Sequence, residues 1–132
     1  ISHGPLDLAR SIVEGITFSL RDLFQLVEKE TKGTPTLLRS IGGGSQSDYW
    51  CQLQANIFAK PIITIQPEQG PSLGAAMLAA MAMGWFENFS SCQEQFLKLN
   101  QQFHPEENKI QHYQELYEVY GQIYPRTCNL TD

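Results

Sequence analysis

The residues best suited to chemistry in this chain are Gly42, Gly43, Gly44, Ser45 and Ser47, set between the apolar run 36–41 and the helix-like segment 48–58. A strand that stops at consecutive glycines and restarts as a helix gathers backbone N–H groups at a helix N-terminus, where the dipole favours negative charge. With no side chain at any of the three glycines, a phosphate or a flat adenine ring approaches the backbone closely. The pattern predicts a nucleotide-binding element. The plainer reading is that three glycines make a tight strand-to-helix turn and nothing more.

Other reactive residue types offer less. His3 precedes a helix with no nucleophile or carboxylate placed beside it by the sequence, so a solvated loop position is expected. Cys51, Cys92 and Cys128 are far apart with no CxxC pair, which suggests neither a disulfide framework nor a zinc site; reduced thiols in a cytoplasmic protein are expected. Cys51, next to Trp50, reads as a buried small apolar residue. Gln46, Asp48 and Glu68 are expected to be solvated surface.

The net charge of −5, with the nine Lys and Arg residues spread from Arg10 to Arg126, argues against a nucleic-acid binder. The Ala/Met run 75–83 is too short to span a bilayer. Matches to N-x-[ST] at Asn88 and Asn129 carry little weight, since nothing else points to secretion.

Holding the glycine turn in place falls to the elements around it. Pro5 suits the first position of a helix running to about Glu30, with Ala9, Ile12, Val13, Ile16, Leu20, Leu23, Phe24 and Val27 on an apolar face. Arg10, Glu14, Arg21, Asp22 and Glu28 fall on the other face, and Lys32-Gly33-Thr34-Pro35 stops the helix. Gly15 in mid-helix reads as a site of close packing. A strand is expected over 36–41. The helix over 48–58 should be capped by Ser47, with Trp50, Leu53 and Ile57 inward. A buried strand over 61–65 follows, then a loop over 66–71. Ser72 is expected to cap a third helix over 73–84, whose Gly and Ala residues make it thin and internal, with Met77, Met81 and Met83 as core filler. A weaker helix is expected over 91–100. Pro105-Glu106-Glu107 opens the last one, whose stripe of Ile110, Tyr113, Leu116, Tyr117, Tyr120 and Ile123 reads as a docking face. One βαβ unit lies at the centre of this order, and a right-handed crossover makes its two strands parallel. Two strands are few for a free-standing α/β domain, so the chain is expected to be part of a larger one whose other strands lie upstream.

Two nucleotide motifs fail against the turn. A P-loop requires Lys followed by Ser or Thr after the glycines, and Ser45-Gln46-Ser47-Asp48 has none. A dinucleotide fingerprint places glycine where Ser47 stands and an acidic residue at the end of the second strand, which here reads Thr64-Ile65-Gln66.

Taken in order, the segments resemble the FGGY family of carbohydrate kinases. Residues 1–23, ISHGPLDLARSIVEGITFSLRDL, are similar to the family's second signature, R-x-x-x-E-G-[IV]-x-F-x-L on a helix. Residues 38–62 resemble its adenosine-binding segment, G-G-G-x-x-S, then a W-x-Q-x-x-A helix, then a basic residue and Pro leading into a strand. Residues 70–84 are similar to the A-L-G-A-A segment, and 115–125, ELYEVYGQIYP, to the closing helix of the xylulokinase and gluconokinase branches. Ile41-Gly42-Gly43-Gly44 is closer to the xylulokinase branch than to gluconokinases, whose equivalent more often reads TGGF.

The resemblance implies an α/β fold: the C-terminal part of an actin-like ATPase (ribonuclease-H-like) domain, helix-rich around a central βαβ unit. Residues 1–132 would be a partial nucleotide-binding domain, with the N-terminal domain and the first part of this one absent. It implies ATP in an interdomain cleft with Mg²⁺ on its phosphates, and a small sugar deeper in that cleft. Gly43 and Gly44 would line the adenosine and phosphate region through their backbone. Ser47 would meet the adenine edge, with a shorter reach than the Asn common there in glycerol kinases. Gly42 would be structural, and Glu14 would buttress the hinge or cleft. The family's catalytic base is an upstream Asp; Asp7, Asp22, Asp48 and Asp132 do not sit in its motif, so no residue here is assigned a catalytic role. The chain alone is expected to be inactive, cytoplasmic, without nucleic-acid or membrane partners, and open to homodimer formation through exposed sheet edges. Kinases for gluconate, ribulose or glycerol would share every motif. A non-catalytic actin-like module would keep the turn without turnover, and a dinucleotide oxidoreductase would need to bind NAD(H).

Overall fold

The computed structural model describes residues 4–31, 33–66 and 70–128, so the expectations placed on His3, Lys32, Glu68, Asn129 and Asp132 fall outside it. Helix α1 spans Pro5–Thr31, and Asp7 Oδ2 accepts from the Gly4 N–H at 2.8 Å at its start. Its orientation differs from the expected one. Ile12, Ile16, Leu20, Leu23 and Val27 are exposed, while Thr17 and Phe18 are its buried residues. The reason lies on the last long helix, which offers hydroxyl and amide partners: Arg10 and Glu14 meet Tyr113, Arg21 meets Gln114, and Asp22 meets Tyr117. The polar residues thus form much of a helix–helix seam and turn the apolar stripe outward. Gly15 is not a packing site, because nothing among the described residues lies within 4 Å of where its Cβ would stand.

Strand β1 is only Leu38–Ser40, and β2 covers Ile62–Gln66. They pair in parallel, Leu38 with Ile62 and Ser40 with Thr64, as the crossover rule requires. Helix α2 occupies Asp48–Phe58, the predicted span, and ends at Ala59 in the left-handed region, φ 52°.

Helix α3 runs Gly70–Ala82, starting earlier than expected, so Ser72 lies in its first turn and is not its cap. Pro71, which has no N–H to satisfy, suits that first turn. Nor is α3 internal: Leu73, Met77 and Ala80 are buried while Ala75, Ala76 and Ala79 are exposed. It packs one side on α4 (Phe89–Phe96), through Leu73, Met77 and Met81 against Cys92 and Phe96. Met83, expected in the core, is 70% exposed just past the end of α3.

The segment expected as a helix over 91–100 divides. Helix α4 begins at an Asn88 cap, whose side chain accepts from Ser91 N at 2.9 Å, and stops at Phe96. Lys98–Phe103 is then a strand, β3, antiparallel to β2 with Ile62 opposite Phe103 and Gln66 opposite Lys98. The sheet therefore has three strands in the order β1-β2-β3 rather than the two expected. All of β3 but Phe103 is exposed, so no apolar alternation marks it as a strand. Its place beside β2, with Thr64 Oγ1 accepting from Gln101 N at 3.2 Å, is a tertiary effect.

Helices α5 (Glu107–Tyr120) and α6 (Ile123–Thr127) close the chain. The aromatic stripe of α5 docks on α1 of the same chain: Phe18 faces Tyr113, Tyr117 and Tyr120 at 5.3–6.5 Å between ring centroids. Helix α2 is the hub. One side joins Phe18 and Tyr113 through Leu53 and Ile57; the other covers the sheet through Cys51 and Ala55 on Ile62. Full burial of a side chain the size of Leu53, Ile57 or Ile62 contributes about 1.5–3 kcal/mol.

Candidate functional site: the glycine turn

Between β1 and α2 the chain makes a 3-10 turn, Gly43–Gln46, preceded by Gly42 at φ 82°, ψ −169°. A side chain rarely adopts that conformation, so glycine at 42 serves the backbone. The Gly42 carbonyl accepts twice from Ser45, from its N–H at 3.0 Å and its hydroxyl at 2.7 Å, and Ser45 is buried. Gly44 is explained by packing: a Cβ there would stand 3.1 Å from Cε3 and Cζ3 of Trp50. Gly43 is different. It is exposed, and nothing among the described residues lies within 4 Å of its missing Cβ.

Ser47 is the α2 cap, as expected, its Oγ accepting from Trp50 N at 3.3 Å. A hydroxyl that accepts one bond still has its own proton to donate, and Ser47 is exposed. Cys51 lies beneath the turn, fully buried, its Sγ 3.6 Å from the Ser45 carbonyl oxygen. Burial pushes the thiol up, with the Ser40 hydroxyl acting against it, so Cys51 is a structural residue and not a nucleophile. Gln46 and Asp48 are exposed, in keeping with solvated surface.

Trp50 links the turn to α1, its Nε1 donating to Thr17 Oγ1 at 3.0 Å. Glu14 has a defined place: its Oε1 accepts from Arg10 Nε at 2.8 Å and from the Tyr113 hydroxyl at 3.3 Å, which ties α1 to α5. Glu14 holds the Arg10 guanidinium more firmly protonated, while burial and then Glu14 raise the Tyr113 phenol. The sequence reading passed over two buried polar residues, Thr17 and Asn56. Asn56 Oδ1 accepts from Glu106 N at 2.8 Å and its Nδ2 donates to Glu106 Oε2 at 3.1 Å, fixing the start of α5 on α2. The available signal was a polar residue at an inward position of an apolar helix face.

No group of three or more His, Cys, Asp or Glu among the described residues could hold a metal ion.

The chain is 43% identical over 129 residues to a xylulose kinase of Bacillus subtilis (strain 168), an alignment covering 98% of this chain and 26% of that protein. The crystal structure of a ligand-bound xylulose kinase from Lactobacillus acidophilus superposes with a TM-score of 0.80 at 31% identity, over 96% of this chain and 25% of that one. A gluconate kinase from the same organism gives 0.78 at 28%, over 96% and 26%. The fold is therefore that of these sugar kinases, the actin-like ATPase fold, and the chain spans about a quarter of the length of the relatives it matches. The profile of the FGGY carbohydrate-kinase C-terminal domain matches residues 1–83, which take in α1, the glycine turn and α2. That match covers more than half of the sequence, and the chain belongs to the FGGY family of carbohydrate kinases.

Proposed function

We propose that residues 1–132 are the C-terminal, ATP-binding portion of an ATP-dependent carbohydrate kinase that converts D-xylulose and ATP to D-xylulose 5-phosphate and ADP. The observation that carries this reading is Gly43. Gly42 is needed for its φ and Gly44 for the Trp50 ring, whereas Gly43 has open space where a side chain would stand. A glycine with no internal reason suits a surface that a ligand approaches closely.

Bound ATP supplies the γ-phosphoryl group. The contribution of this chain is position, which is most of what phosphoryl transfer asks of a protein. Gly43 and Gly44 present backbone to the adenosine and phosphates. Ser47, with Trp50 N on its oxygen, donates its hydroxyl proton to the adenine edge. Neither the catalytic base nor the Mg²⁺ ligands are among these residues in this reading, so residues 1–132 alone are inactive. The sugar is proposed from the 43% identity to a xylulose kinase. The near-equal fit to a gluconate kinase keeps a kinase for a related sugar or polyol as the second reading.

The same reading places the enzyme in the cytoplasm, in keeping with the free thiols of Cys51 and Cys92. No helix among the described residues is long and apolar enough to cross a membrane, and the net charge of −5 disfavours nucleic acid. For residues 1–132 by themselves, a homodimer through the open edge of β1 belongs to the proposal as well, since that strand pairs on one side alone among the described residues. Sedimentation as a monomer at high concentration would remove the dimer.

The test of the whole is ADP release by the full-length kinase with Mg·ATP across D-xylulose, L-ribulose, gluconate and glycerol. Turnover with D-xylulose above the others is expected. Preference for another of them would move the proposal to the second reading, and no turnover with any would end it.

A further inference from the structure

Thr17 is the polar residue with least access to solvent in α1, at 0% exposure, and both capacities of its hydroxyl are used. Its Oγ1 donates to the Val13 carbonyl at 2.7 Å and accepts from Trp50 Nε1 at 3.0 Å. A hydroxyl used in both directions has a fixed orientation, and so fixes the indole that donates to it. Trp50 in turn touches the glycine turn twice. Its six-membered ring lies over Gly44, filling the space a side chain there would take, and its backbone N–H donates to Ser47 Oγ. Trp50 is partly buried and packs against the cluster of Phe18, Leu53, Ile57 and Tyr113, and the bond to Thr17 adds a directional hold that this packing lacks. Without the acceptor at Thr17, the indole N–H gains by swinging toward water, and the ring leaves Gly44 as it swings.

We infer that Thr17 is a positioning residue for nucleotide binding, setting the glycine turn through Trp50 although the two residues stand 33 positions apart in the sequence. The inference rests on the proposed reading of Gly43, Gly44 and Ser47 as the nucleotide surface. Position 17 should accordingly tolerate hydroxyl side chains and resist isosteric apolar ones.

The experiment uses the full-length kinase with T17V, which keeps the shape and removes the oxygen, T17S, which keeps the oxygen, and G43A. The expected result is a rise of about tenfold in KM for ATP in T17V, the scale of one buried hydrogen bond, with KM for the sugar unchanged and kcat changed less. T17S should restore the ATP KM to within about twofold even if its Tm stays lower. A fall in Tm in T17V with the ATP KM unmoved, while G43A raises it, would reduce Thr17 to a core residue and overturn the inference. An ATP KM unmoved in both T17V and G43A would overturn the nucleotide reading and this inference together. Should T17V fail to fold, W50F, which removes the indole N–H, carries the same two outcomes.

Discussion

The Trp50 ring lies where a Gly44 side chain would be, its Cε3 and Cζ3 carbons 3.1 Å from the position of a Cβ. The three glycines of the turn therefore answer to different demands, and substitution separates them. G44A should lower stability by about 1–3 kcal/mol through overpacking against a ring held on its far side by Thr17. G42A should cost about 1–3 kcal/mol for a different reason, the pairing of φ 82° with ψ −169°, a region that is nearly glycine's alone. Denaturant unfolding of the variants measures both, and equal stability of either with wild type would contradict the geometry.

Ala59 ends α2 at φ 52°, a conformation that glycine adopts without strain. A59G should stabilise the protein by about 1 kcal/mol, seen as a higher denaturation midpoint with an unchanged slope. A loss of stability would show that the methyl group of Ala59 makes contacts outweighing its backbone strain.

The inverted face of α1 gives a sharp contrast between neighbouring apolar residues. Phe18, 5% exposed among Leu53, Ile57 and Tyr113, should cost about 3–5 kcal/mol when changed to Ala. Leu23, 58% exposed, should cost within about 0.5 kcal/mol in the 132-residue chain. Comparable losses from F18A and L23A in thermal unfolding would contradict the packing of α1 on α5.

Alkaline pH tests the same seam. Burial, then the hydrogen bond to Asp22, pushes the Tyr117 phenol from its ordinary 10 up to about 12. Because the folded form holds its proton more tightly than the unfolded one, this contribution to stability is complete below pH 10 and is lost as pH rises toward 12. Tyrosinate absorbance should show a late-ionising group in the wild type that is missing in Y117F, with a shallower fall in stability above pH 10 in the variant. Superimposable titrations, apart from one tyrosine fewer at ordinary pKa, would contradict it.

Where local pattern and tertiary partner agree, the fold was legible. Helix α2 lies on its predicted span because Ser47 caps it and Trp50, Leu53 and Ile57 share one face. The parallel pairing of β1 and β2 follows from the crossover rule. Strand β3 was not legible, since its exposed Lys98, Asn100 and Gln101 give no period and only the edge of β2 makes them a strand. The direction of α1 was misread because periodicity identifies an apolar stripe but not what covers it; here Tyr113 and Tyr117 recruit the charged side. At the turn, the family resemblance pointed to Gly43, Gly44 and Ser47, but a string of glycines cannot say which one serves φ and which one serves packing. Thr17 was invisible for a related reason: its partner is a side chain 33 residues away.

Whether this turn meets the nucleotide is read from the KM for ATP of the full-length kinase carrying G43A, measured beside its Tm and its KM for the sugar. Since a Cβ at 43 meets nothing among the described residues, the variant should show an unchanged or slightly higher Tm, an unchanged sugar KM and an ATP KM raised about tenfold. An ATP KM equal to that of the wild type would contradict it and leave the glycines as a turn between a strand and a helix.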